Sequence, residues 1–153
     1  SAPAAANNGV RLAKRILTRA GKPANLTSAS QNDRYVIELS GSALDKRTHP
    51  FIIADLLPAG FEIETILQPN DRSYPWLKGM SFARVAEARD DRFVAAVNVS
   101  AGRRFKLAYL VRAITPGQYT LPGGVVEDMY RPGVFARTAP TQLTITAAAG
   151  QPE

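Results

Sequence analysis

A chain of 153 residues with 45% apolar and 21% charged side chains is the size of one domain around one core. It has neither the composition of a disordered segment nor the roughly 20-residue apolar run that a membrane-spanning helix needs. Its net charge of +6 suits an acidic partner, but no aromatic interleaving or helical reading element accompanies the basic residues, which sets nucleic acid aside; the lack of cysteine removes disulfides, thiolate nucleophiles and cysteine metal sites together.

Residues 1–8, Ser-Ala-Pro-Ala-Ala-Ala-Asn-Asn, lack the basic start and apolar centre of a secretion signal and read as a linker. The chain is therefore expected to be a module of a longer protein, with its domain over 9–147 and a flexible tail over 148–153. The first segment of that domain carries Arg11, Lys14, Arg15, Arg19 and Lys22 without an acid. Leu12, Ala13, Ile16, Leu17 and Ala20 would share one face of a short amphipathic helix, with Arg11, Lys14 and Arg15 opposite, and the pattern by itself leaves helix and strand open. Ala20-Gly21-Lys22-Pro23 is a turn, after which Tyr35, Ile37 and Leu39 alternate as a strand.

Residues 51–57 are apolar on both parities except for Asp55, the mark of a central strand covered on both faces. A turn comes next, at Leu57-Pro58-Ala59-Gly60. Residues 65–80, with Asn70-Asp71 and Tyr74-Pro75-Trp76-Leu77, read as a long loop or crossover in which Trp76 packs onto a sheet edge; the alternative is an aromatic binding platform. Phe82–Ala88 and Phe93–Val99 flank Asp90-Asp91 and make a hairpin. Phe105, Leu107, Tyr109, Val111 and Ala113 alternate with Arg104, Lys106, Ala108, Leu110 and Arg112, a half-buried strand. After Thr115-Pro116-Gly117-Gln118, a last strand contains Leu143 and Ile145 between threonines. About seven or eight short strands predict an all-β antiparallel β-sandwich with at most one short helix.

The sequence holds little that could carry chemistry. His49 is the single histidine; a catalytic triad would have to pair it with Asp45 or Asp55, and no Gly-x-Ser-x-Gly elbow supplies a nucleophile. A loop or capping role is assigned to His49, and no residue is assigned a catalytic role, a metal or a cofactor. Asp90-Asp91 and Glu127-Asp128 offer oxygen ligands but lack the loop pattern of a calcium site, and they read as turn and edge acids. Gly123-Gly124 lacks the strand-loop-helix setting of a phosphate cradle and points to close backbone approach or a bulge. The most irregular stretch is Glu127-Asp128-Met129-Tyr130 before Arg131-Pro132-Gly133-Val134, whose Pro and Gly suit a type II turn. Met adapts to a partner surface and Tyr supplies rigid contact area with a polar tip, so this stretch is either a docking edge or a loop folded onto its own sandwich.

Five segments carry a resemblance. Asp55-Leu-Leu-Pro-Ala-Gly-Phe-Glu-Ile-Glu64, Arg89-Asp-Asp-Arg-Phe93, Ala108-Tyr-Leu-Val-Arg-Ala113, Thr115-Pro-Gly-Gln-Tyr-Thr-Leu-Pro122 and Val126-Glu-Asp-Met-Tyr-Arg-Pro132 with Ala136-Arg-Thr138 occur in order, and together they resemble the C-terminal macroglobulin-like domain of bacterial alpha-2-macroglobulins. The resemblance implies that the segment from Gly9 is a strand. It also implies a non-catalytic module of a large periplasmic protease trap, often held at the inner membrane by lipidation. The partners it implies are other domains of the same parent chain and, through the parent, target proteases; the domain by itself is expected to be monomeric. In thioester-bearing relatives the methionine of the Glu-Asp-Met-Tyr motif helps to shield the reactive bond, a role that would fall on Met129 with Tyr130 as its neighbour. Glu127, Asp128, Met129, Tyr130 and Arg131 are accordingly the expected interdomain latch. Neither a bait region nor a Cys-x-Glu-Gln thioester lies in these residues, and the lysine-bearing receptor helix of the animal proteins has no counterpart in this sequence. A carbohydrate-binding or adhesin sandwich that uses Tyr74 and Trp76 is the alternative.

Overall fold

Period-two alternation becomes extended backbone almost everywhere it occurs. The computed structural model describes residues 2–149, and its strands in chain order are β1 (Ala6–Asn8), β2 (Val10–Thr18), β3 (Ala29–Ser30), β4 (Arg34–Ala43), β5 (His49–Leu56), β6 (Phe61–Ile66), β7 (Val85–Arg89), β8 (Arg92–Val99), β9 (Arg104–Ala113), β10 (Gly117–Leu121), β11 (Val125–Asp128), β12 (Phe135–Arg137) and β13 (Thr141–Thr146). No helix forms among the described residues. The count exceeds the seven or eight expected because short segments such as β1, β3 and β12 extend the sheets by main-chain pairing, which hydrophobic alternation does not announce.

Three sheets result, in the orders β1-β12-β11-β5-β8-β7, β2-β4-β9-β6 and β10-β13-β3. Neighbours are antiparallel except β13 and β3, so the architecture is the antiparallel sandwich expected. The ambiguous basic segment is the strand β2, paired with β4 from Val10↔Ala43 to Thr18↔Tyr35. Leu12 and Ile16 face the core, while exposed Arg11 and Arg15 lie on the other face of an edge strand, where charge discourages pairing with other chains. The six-stranded sheet begins at Ala6, inside the segment expected to be a linker, because Ala6, Asn7 and Asn8 pair with β12. Of the expected tail, only Ala148 and Ala149 lie within the described residues.

The core fills the space between the six- and four-stranded sheets. Phe51 and Ile53 of β5, Phe93, Ala95, Val97 and Val99 of β8, and Val126 of β11 meet Ile37 and Leu39 of β4 and Phe105, Leu107, Tyr109 and Val111 of β9. Two burial expectations are reversed. β5 is central in its sheet but is covered on one face, with Ile52 and Leu56 at 39% and 40% exposure on the other. β9, expected to be half-buried, is covered on both: Ala108 and Leu110 join Leu17, Val36 and Leu67 in a second cluster beneath Tyr74, Trp76, Leu77 and Met80. The 65–80 segment therefore spends its apolar side chains on its own sandwich. Trp76 donates from Nε1 to the Arg19 carbonyl at 2.9 Å and lies over Gly21, where an added Cβ would sit 2.6 Å from the ring.

A charged group crosses the core. Lys14 Nζ donates to Asp55 Oδ1 at 2.6 Å, and the Tyr109 hydroxyl donates to the other Asp55 oxygen, so β2 and β9 of one sheet are tied to β5 of the other. Tyr109 stacks on Phe93 with ring centroids 4.7 Å apart. Burial pushes the Asp55 carboxyl up despite Lys14 and Tyr109, and burial beside Asp55 pushes the Tyr109 phenol well up.

Candidate functional site: the loop after β11

Pairing with β5 sets the direction of every side chain at the end of β11. Asp128 is opposite Phe51 and Glu127 opposite Ile52, so by strand alternation Asp128 enters the interior while Glu127 points outward. His49 starts β5 on the inward parity of Phe51 and stacks on that ring at 5.0 Å. Its Nδ1 lies 2.7 Å from Asp128 Oδ2 and its Nε2 lies 2.6 Å from Asp45 Oδ1. Both His49 and Asp128 are buried.

The second oxygen of Asp128 shapes the loop. Asp128 Oδ1 accepts from the backbone N–H groups of Tyr130 and Arg131 at 2.8 and 2.9 Å, and the Met129 N–H donates to the Pro50 carbonyl. The Val134 N–H then donates to the Arg131 carbonyl at 2.8 Å, which closes a turn through Pro132 and Gly133. Gly133 does not have the positive φ that a type II turn demands there. The type II expectation is corrected on that point; Pro132 at the second position suits a type I turn equally well.

A braced loop thus presents two exposed hydrophobes. Met129 is 43% and Tyr130 81% exposed, and Met129 Sδ accepts from the Arg84 guanidinium at 3.5 Å. Arg131 is exposed, and Glu127 is half-buried on the outer face of the sheet. The five residues expected to act as one latch therefore divide: Asp128 is an internal brace, whereas Met129, Tyr130 and Arg131 are available at the surface. Beside them lies a row in register across five strands, Phe135, Glu127, Ile52, Ala96 and Val85. Apart from Glu127 it is apolar, and Ile52 and Val85 within it are exposed.

Electrostatics favour the fully ionised arrangement of the brace. Burial works against the Asp128 carboxylate, but the His49 hydrogen bond and the two backbone N–H groups outweigh it and hold the group below the usual carboxylate range. Burial likewise disfavours the His49 imidazolium, yet the bonds to Asp45 and Asp128 raise it above its ordinary value. The His49 bond, aided by the Arg47 N–H, lowers exposed Asp45.

This geometry does little chemistry. Both His49 nitrogens face carboxylates, so neither is available to take a proton from a hydroxyl. Asp45 and Asp128 lie at opposite nitrogens and do not converge on a point a metal could occupy. A cleft of about 710 Å³ runs beside β2 along Arg11, Arg104 and Arg137, and its lining holds no histidine or acid. Gly123, as expected, marks close backbone approach: a Cβ there would lie 1.7 Å from the Thr138 carbonyl oxygen.

A loop or capping role for His49 is readable in the sequence, but not the group that it meets. The available signal was parity: 49, 51, 53 and 55 fall on one face of β5, so the histidine had to be inside. Nor is the Lys14–Asp55–Tyr109 group readable there, since Lys14 shares the inward parity of Leu12 and Ile16 only if the segment is a strand.

Comparisons with known proteins point to the bacterial alpha-2-macroglobulins. The family model of the bacterial alpha-2-macroglobulin MG10 domain matches residues 9–133. The chain is 34% identical to alpha-2-macroglobulin of Xylella fastidiosa over 94% of its length, and 36% identical to that of Escherichia coli over 95%; it spans 9% of the length of each. Among solved structures it is similar to Salmonella alpha-2-macroglobulin reacted with methylamine, with a TM-score of 0.85, 36% identity and coverage of 95% of this chain and 10% of that one. It is also similar to native E. coli alpha-2-macroglobulin from domain MG7 to the C-terminus, with a TM-score of 0.81, 34% identity and coverage of 95% and 24%.

Proposed function

From the premise that this chain belongs to the bacterial alpha-2-macroglobulin MG10 domain family, we propose that it is a non-catalytic docking module of a larger protease trap, and that Met129 and Tyr130 latch it onto another domain of the same parent chain. The observation that carries this reading is the exposed Met129–Tyr130 pair on a loop held by backbone and side-chain hydrogen bonds at the rim of an exposed, largely apolar sheet face. Exposed apolar side chains gathered beside one another, as Met129, Tyr130, Ile52 and Val85 are here, mark an interaction surface in a way that scattered ones do not. A solved relative is E. coli alpha-2-macroglobulin activated by porcine elastase, which supports a parent that rearranges when a protease cuts it. We extend the proposal to a periplasmic parent anchored at the inner membrane, as the family resemblance implies. Burying most of Tyr130 would contribute roughly 2–4 kcal/mol to the docked state. The parent protein carrying Tyr130→Ala or Met129→Asp is expected to change conformation more readily, seen as altered protection of a challenging protease and altered migration on native gels. A variant parent that answers protease cleavage just as wild type does would refute the latch.

A further inference from the structure

We propose that His49, acting as a doubly hydrogen-bonded imidazolium, is the positioning residue of the Met129–Tyr130 loop, so that the order of the loop tracks the protonation of one buried ring. This rests on the latch reading for its meaning but not for its test.

Each ring nitrogen of His49 faces a carboxylate oxygen, at 2.7 and 2.6 Å, and two carboxylates can be satisfied only if both nitrogens carry hydrogen. A neutral ring would aim a lone pair at one of them. Asp128 is the partner that matters for the loop, because its second oxygen holds the N–H groups of Tyr130 and Arg131. Without a cation beside it, a buried carboxylate either takes a proton, which weakens its other oxygen as an acceptor, or turns towards water, which takes that acceptor away from the loop. Asp45, on the segment between β4 and β5, braces the far side of the ring. The remaining groups facing this ring are few: Arg47 and Arg131, with the Tyr130 side chain, line the small cleft around it, Phe51 stacks against it, and uncharged Val99 is its strand partner.

His49 is raised, so its contribution is complete below the ordinary histidine value of about 6.5 and is lost as pH rises through the folded value. Asp128 is lowered, so its contribution is present above the ordinary carboxylate range and is lost as pH falls through the folded value. Loop order therefore has a plateau in mildly acidic to neutral solution and falls away on both sides. On the alkaline side the fall is partial, because a neutral ring can keep Nδ1–H on Asp128 while exposed Asp45 swings into water.

The test is nuclear magnetic resonance on this chain. Nitrogen-15 spectra of the His49 ring report how many nitrogens carry hydrogen, and amide exchange of Tyr130 and Arg131, corrected for its intrinsic pH dependence, reports loop order. At about pH 6, below the ordinary histidine value, both ring nitrogens are expected to be protonated, and the protection of the two amides should fall as the ring titrates. His49→Gln should speed their exchange about tenfold or more while Tyr109 and Val97 amides keep their protection. Should that variant unfold, Asp45→Asn, at an exposed position, decides: the midpoints of ring titration and loop protection should move down together. A ring protonated on one nitrogen at that pH, or Tyr130 and Arg131 protection indifferent to the His49 titration in wild type and in Asp45→Asn, would overturn the proposal. Failure of the latch, in contrast, would show in the protease response of Tyr130→Ala with the loop intact.

Discussion

Replacing Lys14 by Met removes the cation that crosses the space between the sheets and leaves the buried Asp55 carboxylate facing the Tyr109 hydroxyl alone. Lys14 Nζ lies 2.6 Å from Asp55 and 3.3 Å from the Pro122 carbonyl, with both side chains nearly inaccessible to water. Removing one partner of such a pair costs about 3–5 kcal/mol. A domain of this size has about 5–15 kcal/mol in total, and the corresponding fall in Tm is roughly 6–20 °C. The loss must also depend on pH. Burial already holds the Asp55 carboxyl above its usual range with Lys14 present, and a raised carboxyl binds its proton more tightly in the folded state, so its burden on stability grows as pH rises through the folded value. Without Lys14 that value rises further. Urea unfolding monitored by circular dichroism should show the full loss at about pH 7 and a smaller one near pH 4, where protonation of Asp55 relieves the unpaired charge. Lys14→Met with Asp55→Leu should recover part of the stability, because no unpaired charge remains inside while the buried Tyr109 hydroxyl loses its acceptor. A loss below about 1 kcal/mol at neutral pH, or an equal loss at both pH values, would show that Lys14 does not compensate a buried charge.

Gly123→Ala should destabilise by about 1–3 kcal/mol, because its methyl would overlap the Thr138 carbonyl and push the strand ends of β11 and β12 apart; Gly133→Ala, which meets no atom within 4 Å, is the control and should stay within about 0.5 kcal/mol in the same thermal melts. Trp76→Ala should cost about 2–3 kcal/mol, less than a fully buried tryptophan, by uncovering Leu17, Ala108 and Leu110 and removing the bond to the Arg19 carbonyl. If its Tm matches wild type, the 65–80 segment does not pack on the four-stranded sheet in solution.

Alternation and punctuation made much of this molecule legible. The strands at Tyr35–Leu39, Phe93–Val99 and Phe105–Ala113, the hairpin at Asp90-Asp91, and the close approach at Gly123 all depend on residues near one another in sequence. Each was readable because a strand repeats every two residues and a turn needs particular backbone freedom. The stretch from Glu127 to Arg131 stood out for the same local reason, a polar irregularity at the end of a strand. Local pattern could not say what lies over a strand. Ile52 and Leu56 look like core residues in β5 yet face outward exposed, while Ala108 and Leu110 are buried by the 65–80 segment closing over them. Nor could it say what a buried charge meets. Lys14 reaches Asp55 across 41 positions and His49 reaches Asp128 across 79, distances over which sequence carries no phase. Composition and period determined that this chain is a β-sandwich; the pairing of β5 with β11 within one sheet decided that a histidine from one strand would meet the aspartate that folds the loop after the other.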